Sequence, residues 1–343
     1  MELYVYPPIG QGLSWHGVID QFGSLRWRRK YTEPGEFELH LPASKENVAL
    51  LRPGARLQRL DCREQGEIAG IKLEGEEMSV TGRMLSARLD QHIQPLFACS
   101  CSAVEAMRKA VAAGGVKALA EPSVEGGGAE ETVQLQARFK SDLQIVSALA
   151  KAYNLGFYLE VLGDGALQLA IYQGAVRTLE QTENAQVIFS DLYDNLLAPV
   201  YTYSATGYKN VALVAGEEAE NGERMVVEVD RSGGGDRRML YVDAGGLRRE
   251  ERTEEEYRAL LRQEGLQKLA ESQVAENFDS SILPTAPFVY GEDWALGDVV
   301  SVYDSRWGIR LDARVTEIEE VFEGGVHQVI PVLGTPLPET LQL

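Results

Sequence analysis

Through much of the first eighty positions polar and apolar residues alternate with period two. Residues 2–6, 25–28, 37–41, 56–60, 68–71 and 78–80 each read as a short strand, separated by glycine and proline. Many short strands at this spacing predict a small barrel or sandwich. Pro34-Gly35 suits a turn, because proline presets φ at one turn position and glycine tolerates positive φ at the next. Pro53-Gly54 repeats the device, and residues 46–51 follow Ser44 as one helical turn.

The period changes at Ser102. In SAVEAMRKAVAAGG, Ser102 and Glu105 form a capping box, Val104, Met107 and Val111 share a face, and Gly114 ends the helix. A second helix repeats the signature with Ser141 and Gln144 as caps. Its apolar face is Ile145, Val146, Leu149 and Tyr153, and residues 154–156 stop it. The glycine-rich stretch 124–131 between the helices reads as a loop. Residues 157–161 and 166–172 flank Gly163-Asp164-Gly165, which is a hairpin pattern.

Strands return from Val187. Segments 211–215, 225–229 and 239–242 fit a meander, with residues 232–236 as a solvent loop. Thr253 and Glu256 cap the longest helix, whose buried face is Tyr257, Leu260, Leu261, Leu269, Ala270 and Val274. Gly265 costs that helix about 1 kcal/mol relative to alanine. Strands 299–303, 309–322 and 326–333 complete the pattern, and the alternation breaks between Val315 and Ile318, as at a β-bulge. Pairing 187–250 with 283–335 gives a second barrel. The expected fold is α+β and mainly β: a β-barrel domain over 1–95, an α+β insert over 96–186, and a second β-barrel domain over 187–343 that includes helix 253–276. The two β units are expected to be related in structure without sequence identity.

Composition narrows the function. At 343 residues and 44% hydrophobic, the chain is long enough for two or three cores. Lys plus Arg total 33 against 52 Asp plus Glu, a formal net charge of −19, so the surface should repel nucleic-acid phosphates. There is no run of 18 apolar residues, and MELYVYPPIGQG lacks the basic and apolar segments of a secretory leader. Synthesis and folding in the cytoplasm, with no membrane partner, are the expectation. Cys62, Cys99 and Cys101 cannot make an even disulfide framework, and a Cys-x-Cys pair lacks the two further ligands zinc normally takes. His16, His40, His92 and His327 are dispersed; no metal or cofactor is expected.

Catalytic patterns are weak. Asp191/Asp194 and Glu217/Glu218 are nominal carboxylate pairs, but sequence spacing does not set the separation that glycoside chemistry needs. There is no GxSxG elbow, and Cys99 or Cys101 with His92 is the only nearby thiol and imidazole. Gly10-Gln-Gly12 and residues 126–128 lack the context of a phosphate loop. Trp294, Trp307 and Tyr290 offer a sugar-binding shelf or, more simply, barrel-end packing. The basic run Arg26, Arg28, Arg29 and Lys30, with Trp27 and Tyr31, offers a grip for a nucleic-acid strand or a cationic strand face for an acidic neighbouring subunit. The second is preferred, and Arg26, Trp27, Arg28 and Arg29 are the candidate assembly residues.

WRRKYTEPGEFELHLPAS, from Trp27, resembles the amino-terminal signature of the siphophage tail hub family, the structural portion of tail-associated lysins and prophage tail endopeptidases. VTGRMLSARLDQHI from Val80, FSDLYDNLLAPVYTYSATGYKNVALVAGE from Phe189, RRMLYVDA from Arg237 and DWALGDVVSVYDSRWGIRLDARVTEIEE from Asp293 resemble later blocks in the same order. The resemblance implies a phage baseplate-hub-like fold and a trimeric ring whose two barrels per chain give pseudo-sixfold symmetry. The implied partners are further copies of this chain, a distal tail or tail tube protein, the tape measure protein and tail tip or receptor-binding proteins. DNA would pass through the lumen without specific binding, and the location would be the virion tail. Many members continue into a peptidase, lysin or receptor-binding region; with Leu343 closing this sequence, no family catalytic residue is expected in it. The competing reading is a cell-wall hydrolase or carbohydrate-binding tail tip protein.

Overall fold

The alternation of the first ninety residues becomes seven strands in a computed structural model, which describes residues 1–118, 132–219, 221–249, 252–281 and 287–335. These strands are β1 (Leu3–Tyr6), β2 (Gly17–Ile19), β3 (Ser24–Lys30), β4 (Glu36–Pro42), β5 (Arg56–Arg59), β6 (Gly66–Glu74) and β7 (Glu77–Met84). The short helix α1 (Lys45–Leu50) lies between β4 and β5, capped where Ser44 Oγ accepts from Asn47 N at 3.1 Å. Alternate residues Leu3, Val5, Leu25, Trp27, Phe37, Leu39 and Val80 point into one core. β2, only three residues long, has no counterpart in the alternation. Gly54 takes the positive φ of +83° expected after proline. Gly35 does not; a Cβ there would lie 2.0 Å from the Arg28 carbonyl oxygen, so glycine is required by the close approach of β3 to the turn.

The middle of the chain supplies β8 (Ile93–Gln94), β9 (Phe97–Ser102), α2 (Ala103–Ala112), β10 (Lys117–Ala118), β11 (Thr132–Ala137), β12 (Lys140–Ser141), α3 (Asp142–Tyr153), β13 (Gly156–Val161) and β14 (Leu167–Tyr172). The capping box of α3 is complete: Ser141 Oγ accepts from Gln144 N at 3.2 Å, and Gln144 Oε1 accepts from Ser141 N at 3.1 Å. Asn154, at φ 54°, ends the helix in the left-handed region. Ser102 Oγ caps α2 through Glu105 N at 3.3 Å. β13 and β14 pair antiparallel around the expected hairpin turn, and β9 pairs with β11. Met107, Val111, Ile145, Val146 and Leu149 bury the two helices against these strands. The glycine-rich stretch 124–131 lies outside the described residues.

The last part contains β15 (Ile188–Ser190), β16 (Leu197–Ser204), β17 (Val211–Glu218), β18 (Arg224–Asp230), β19 (Met239–Asp243), α4 (Glu254–Glu271), β20 (Ala275–Ser281), β21 (Val299–Asp304), β22 (Ile309–Glu323) and β23 (Val326–Thr335). Here the expected grouping changes. β17, β18 and β19 form their own sheet in the order β18-β17-β19, with β19 parallel to β17, so they neither make a meander nor pair with the final strands. Alternation identifies strands but carries no information about partners. Asn210 stitches the crossing, donating to the Asp236 carbonyl at 2.7 Å and accepting from Arg238 N at 2.7 Å. α4 covers this sheet through Tyr257, Leu260 and Leu261. Gly265 explains itself there: a Cβ would sit 2.8 Å from methyls of both Val214 and Val229, so the missing side chain lets helix and sheet close up.

The remaining strands share one sheet with the amino-terminal ones. β22 pairs with β3 from Glu317↔Lys30 to Glu323↔Ser24, and the sheet runs β16-β20-β23-β22-β3-β4-β7-β6-β5-β1-β2, with β21 and β15 branching off β22. No ladder among the described residues closes either β unit into a barrel. The register shift between Val315 and Glu317 falls at the expected bulge, where β22 exchanges its neighbour β21 for β3. Strand makes up 45% and helix 18%, a mainly β fold.

Candidate assembly face and central cleft

The four candidate assembly residues lie on β3, which is interior to the sheet, with β4 on one edge and β22 on the other. Alternation splits them between two faces. Trp27 is fully buried and stacks on Phe37 with ring centroids 5.4 Å apart, so its side chain belongs to the core. Arg26 is exposed on the opposite face. On that face Arg28 lies 3.3 Å from Glu36 and 3.5 Å from Glu319, and Lys30 lies 3.8 Å from Glu317. The acidic partners of the cationic stripe therefore come from flanking strands of the same chain, as cross-strand pairs.

Arg29 faces the other way, into a cleft of about 640 Å³ bordered by Arg59, Glu64, Tyr158, Tyr172, Tyr290 and His327. Its guanidinium stands over the Tyr290 ring at 5.7 Å, and its buried Nε has no hydrogen-bond partner. Arg59 forks onto Glu320 with both contacts at 2.8 Å, and His327 Nε2 lies 3.2 Å from the same carboxylate. Burial pushes the Glu320 carboxyl up, but the hydrogen bonds from His327 and Arg59 and the nearby positive charge outweigh it and hold the group down at about 2. Glu64 behaves oppositely. Burial pushes its carboxyl up to about 7, against the opposing charge of Arg29 and a hydrogen bond from Ser86.

Tyr31, next along from Lys30, pins the three stretches of chain together. Its N donates to the Thr316 carbonyl at 2.9 Å, its hydroxyl donates to the Asn154 carbonyl at 2.8 Å, and Phe157 N donates to its carbonyl at 3.2 Å. The ring fits only because Gly156 and Gly297 lack side chains: a Cβ on either would lie 2.3 or 2.4 Å from it. The glycines are 141 positions apart, from 156 to 297, which is why no local pattern announces the site.

Several residues of the alternative chemistries are engaged elsewhere. Burial pushes the Cys99 thiol up to about 12, further from a thiolate, and His92 is engaged 3.0 Å from Asp142. Asp191 is held below the usual carboxylate range by bonds from Ser305, the reverse of what a proton-donating carboxyl needs. Glu217 lies 3.5 Å from Arg248. Trp294 is 1% exposed and packs on Phe189 at 5.2 Å, while Trp307, stacked on Phe278, is half exposed. The two tryptophans make no common shelf.

A profile of the family described as Siphovirus ReqiPepy6 Gp37-like protein matches residues 2–94 and 106–335. The chain belongs to this siphovirus tail protein family. The Gp37-like match takes in Arg26 to Arg29, Tyr31, Arg59, Glu64 and Glu320, and the eleven positions between its two stretches, 95–105, carry β9. Solved tail proteins, two of them from prophages, share the fold. The 43 kDa tail protein of prophage MuSo2 from Shewanella oneidensis is 15% identical with a TM-score of 0.62, over 98% of this chain and 99% of that one. Tail protein gp18 from Listeria monocytogenes EGD-e is 12% identical with a TM-score of 0.59, covering 98% and 96%. The tail protein from Neisseria meningitidis MC58 is 14% identical with a TM-score of 0.57, covering 96% of each. No curated protein sequence matches.

The buried Arg59, Glu64 and Glu320 had no motif to reveal them. One signal was present for Glu320: it shares strand parity with Ile318, which places it on the inward face although the run EIEE looks solvated.

Proposed function

We propose that this Gp37-like chain is a non-enzymatic structural hub of a phage or phage-like tail, assembled in the host cytoplasm as a trimeric ring. Three copies of the two β units, 1–95 and 187–343, give six quasi-equivalent parts around the ring, with 96–186 outside that repeat. One face receives the distal tail or tube protein and the other the tape measure and tip proteins. The net charge of −19 suits a lumen along which DNA slides without sticking.

The observation that carries this reading is end-to-end similarity: the chain and the MuSo2 tail protein cover 98% and 99% of each other. The sheet supports it mechanically, since the β3–β22 ladder fixes the two β units in one continuous wall. Arg26, exposed beside the internally paired Arg28, is the residue of the basic run best placed to meet another subunit. Light scattering over a range of concentrations tests the ring. A mass of three 37.8 kDa protomers is expected, and a monomer or dimer at every concentration counts against it.

A further inference from the structure

Arg29 is a cation at a core-facing position. On β3 it shares the inward face with Trp27 and Tyr31, which are 0% and 1% exposed. Its guanidinium stands over the Tyr290 ring, and Cys62, Glu64, Tyr172 and Glu320 surround its charge; all five residues border the cleft of about 640 Å³ that Arg29 itself lines. The side chain keeps part of its surface accessible. Yet Arg29 makes no hydrogen bond or ion pair among the described residues, and its Nε is sealed off without an acceptor.

The other charges of the cleft are matched. Arg59 takes the carboxylates of Glu320 and Asp61, and His327 shares Glu320. Glu64 is buried and makes no ion pair with Arg29, and burial pushes its carboxyl up to about 7, so below that pH it is mostly neutral. On the rim, exposed Arg63 and Glu292 offset each other. One positive charge is left over, withdrawn from bulk water with only the face of a tyrosine as its partner. Such a cation carries a desolvation cost that hydrogen bonds to an anion offset. The guanidinium fork matches the paired oxygens of a carboxylate or a phosphate, and the cleft is of ligand-site size.

We propose that this cleft is an oxyanion site, in which the terminal nitrogens of Arg29 donate to a carboxylate or phosphate group while the Tyr290 ring covers the guanidinium face. The rings of Tyr158 and Tyr172 wall the space beside that group. The site stands whether or not the chain forms a ring.

The test uses the full chain at pH 6, titrated in a calorimeter with sodium acetate and, separately, with inorganic phosphate, in chloride at fixed ionic strength. Saturable binding of at least one anion is expected; saturation by acetate alone marks a carboxylate site, and by phosphate alone a phosphate site. Arg29→Met should weaken binding about tenfold or more without lowering the unfolding temperature, because an apolar chain replaces an unpaired buried cation. Arg29→Lys, which keeps the charge and loses the fork, should fall between the two. If neither variant folds, wild-type crystals soaked in the saturating anion decide, with the anion expected against the Arg29 guanidinium. No saturable binding of either anion, equal binding by Arg29→Met, which would mean an adventitious ion only, or a soaked crystal with water alone at Arg29 would each overturn the proposal.

Discussion

Arg59 and Glu320, 261 positions apart in sequence, meet as a bidentate ion pair with both N–O contacts at 2.8 Å and both side chains buried. β5 and β22 are not neighbours in the sheet, so the pair closes the curl of the sheet over Trp27, whose ring lies 6.0 Å from the Arg59 guanidinium. Removing one partner strands a buried charge, so Arg59→Met should destabilise the chain by about 3–5 kcal/mol in urea titration, and adding Glu320→Leu should recover much of the loss. Glu320 also sets an acid limit. Its folded value of about 2 lies below the ordinary 4.5, so its contribution is present above pH 4.5 and is lost as pH falls toward 2. Glu320→Gln should flatten stability across that window; an unchanged acid slope would contradict the assignment.

Glu64 works in the opposite sense. Its folded value of about 7 lies above 4.5, so burial favours the protonated form, and the contribution is complete below pH 4.5 and lost as pH rises through 7. Wild-type stability should drop by roughly 3 kcal/mol over that interval from this group, whereas Glu64→Gln should be level across it. Chemical denaturation at pH 5 and pH 8 distinguishes the two.

On an isolated helix Gly265→Ala would help by about 1 kcal/mol. In this chain it should do harm, by about 1–3 kcal/mol, because the new methyl meets Val214 and Val229 at 2.8 Å. Adding Val229→Ala to make room should return part of the stability. A more stable Gly265→Ala variant would mean that α4 sits further from its sheet than these 2.8 Å approaches imply.

Neighbouring residues of the basic run should separate fold from assembly. Trp27→Ala empties the first core and should cost about 3–5 kcal/mol, visible as a lowered unfolding temperature. Arg26→Glu should leave stability within about 0.5 kcal/mol of wild type while reducing the trimer fraction in light scattering. Arg28→Glu cannot make this distinction, since it also faces Glu36 and Glu319 within the chain.

The elements were legible in the sequence because their signals are local: the Ser141 and Thr253 capping boxes, the Gly163-Asp164-Gly165 hairpin and the break between Val315 and Ile318 all act over a few residues. Pairing was not, because a strand's alternation is the same whichever partner it meets. Hence β17 to β19 were expected beside the final strands but form a sheet of their own. The candidate site was half legible. The basic run on β3 stands out by composition and its alternation divides it between two faces, but the carboxylates of β22 that pair with its outer face lie almost three hundred residues later. Tyr31 and its two glycines, and the clamp at Glu320, depend on contacts of that same range.

The β3–β22 ladder also constrains how the molecule is born. While the chain emerges from the ribosome, β3 must wait with one edge unpaired until residues 309–323 have been made. Pairings so distant in sequence are slow to form, and a waiting edge can recruit the wrong neighbour. Translation that stops before Ile309 should therefore yield an aggregating fragment rather than a smaller folded one, so a host cell would release this protein either whole or not usefully at all.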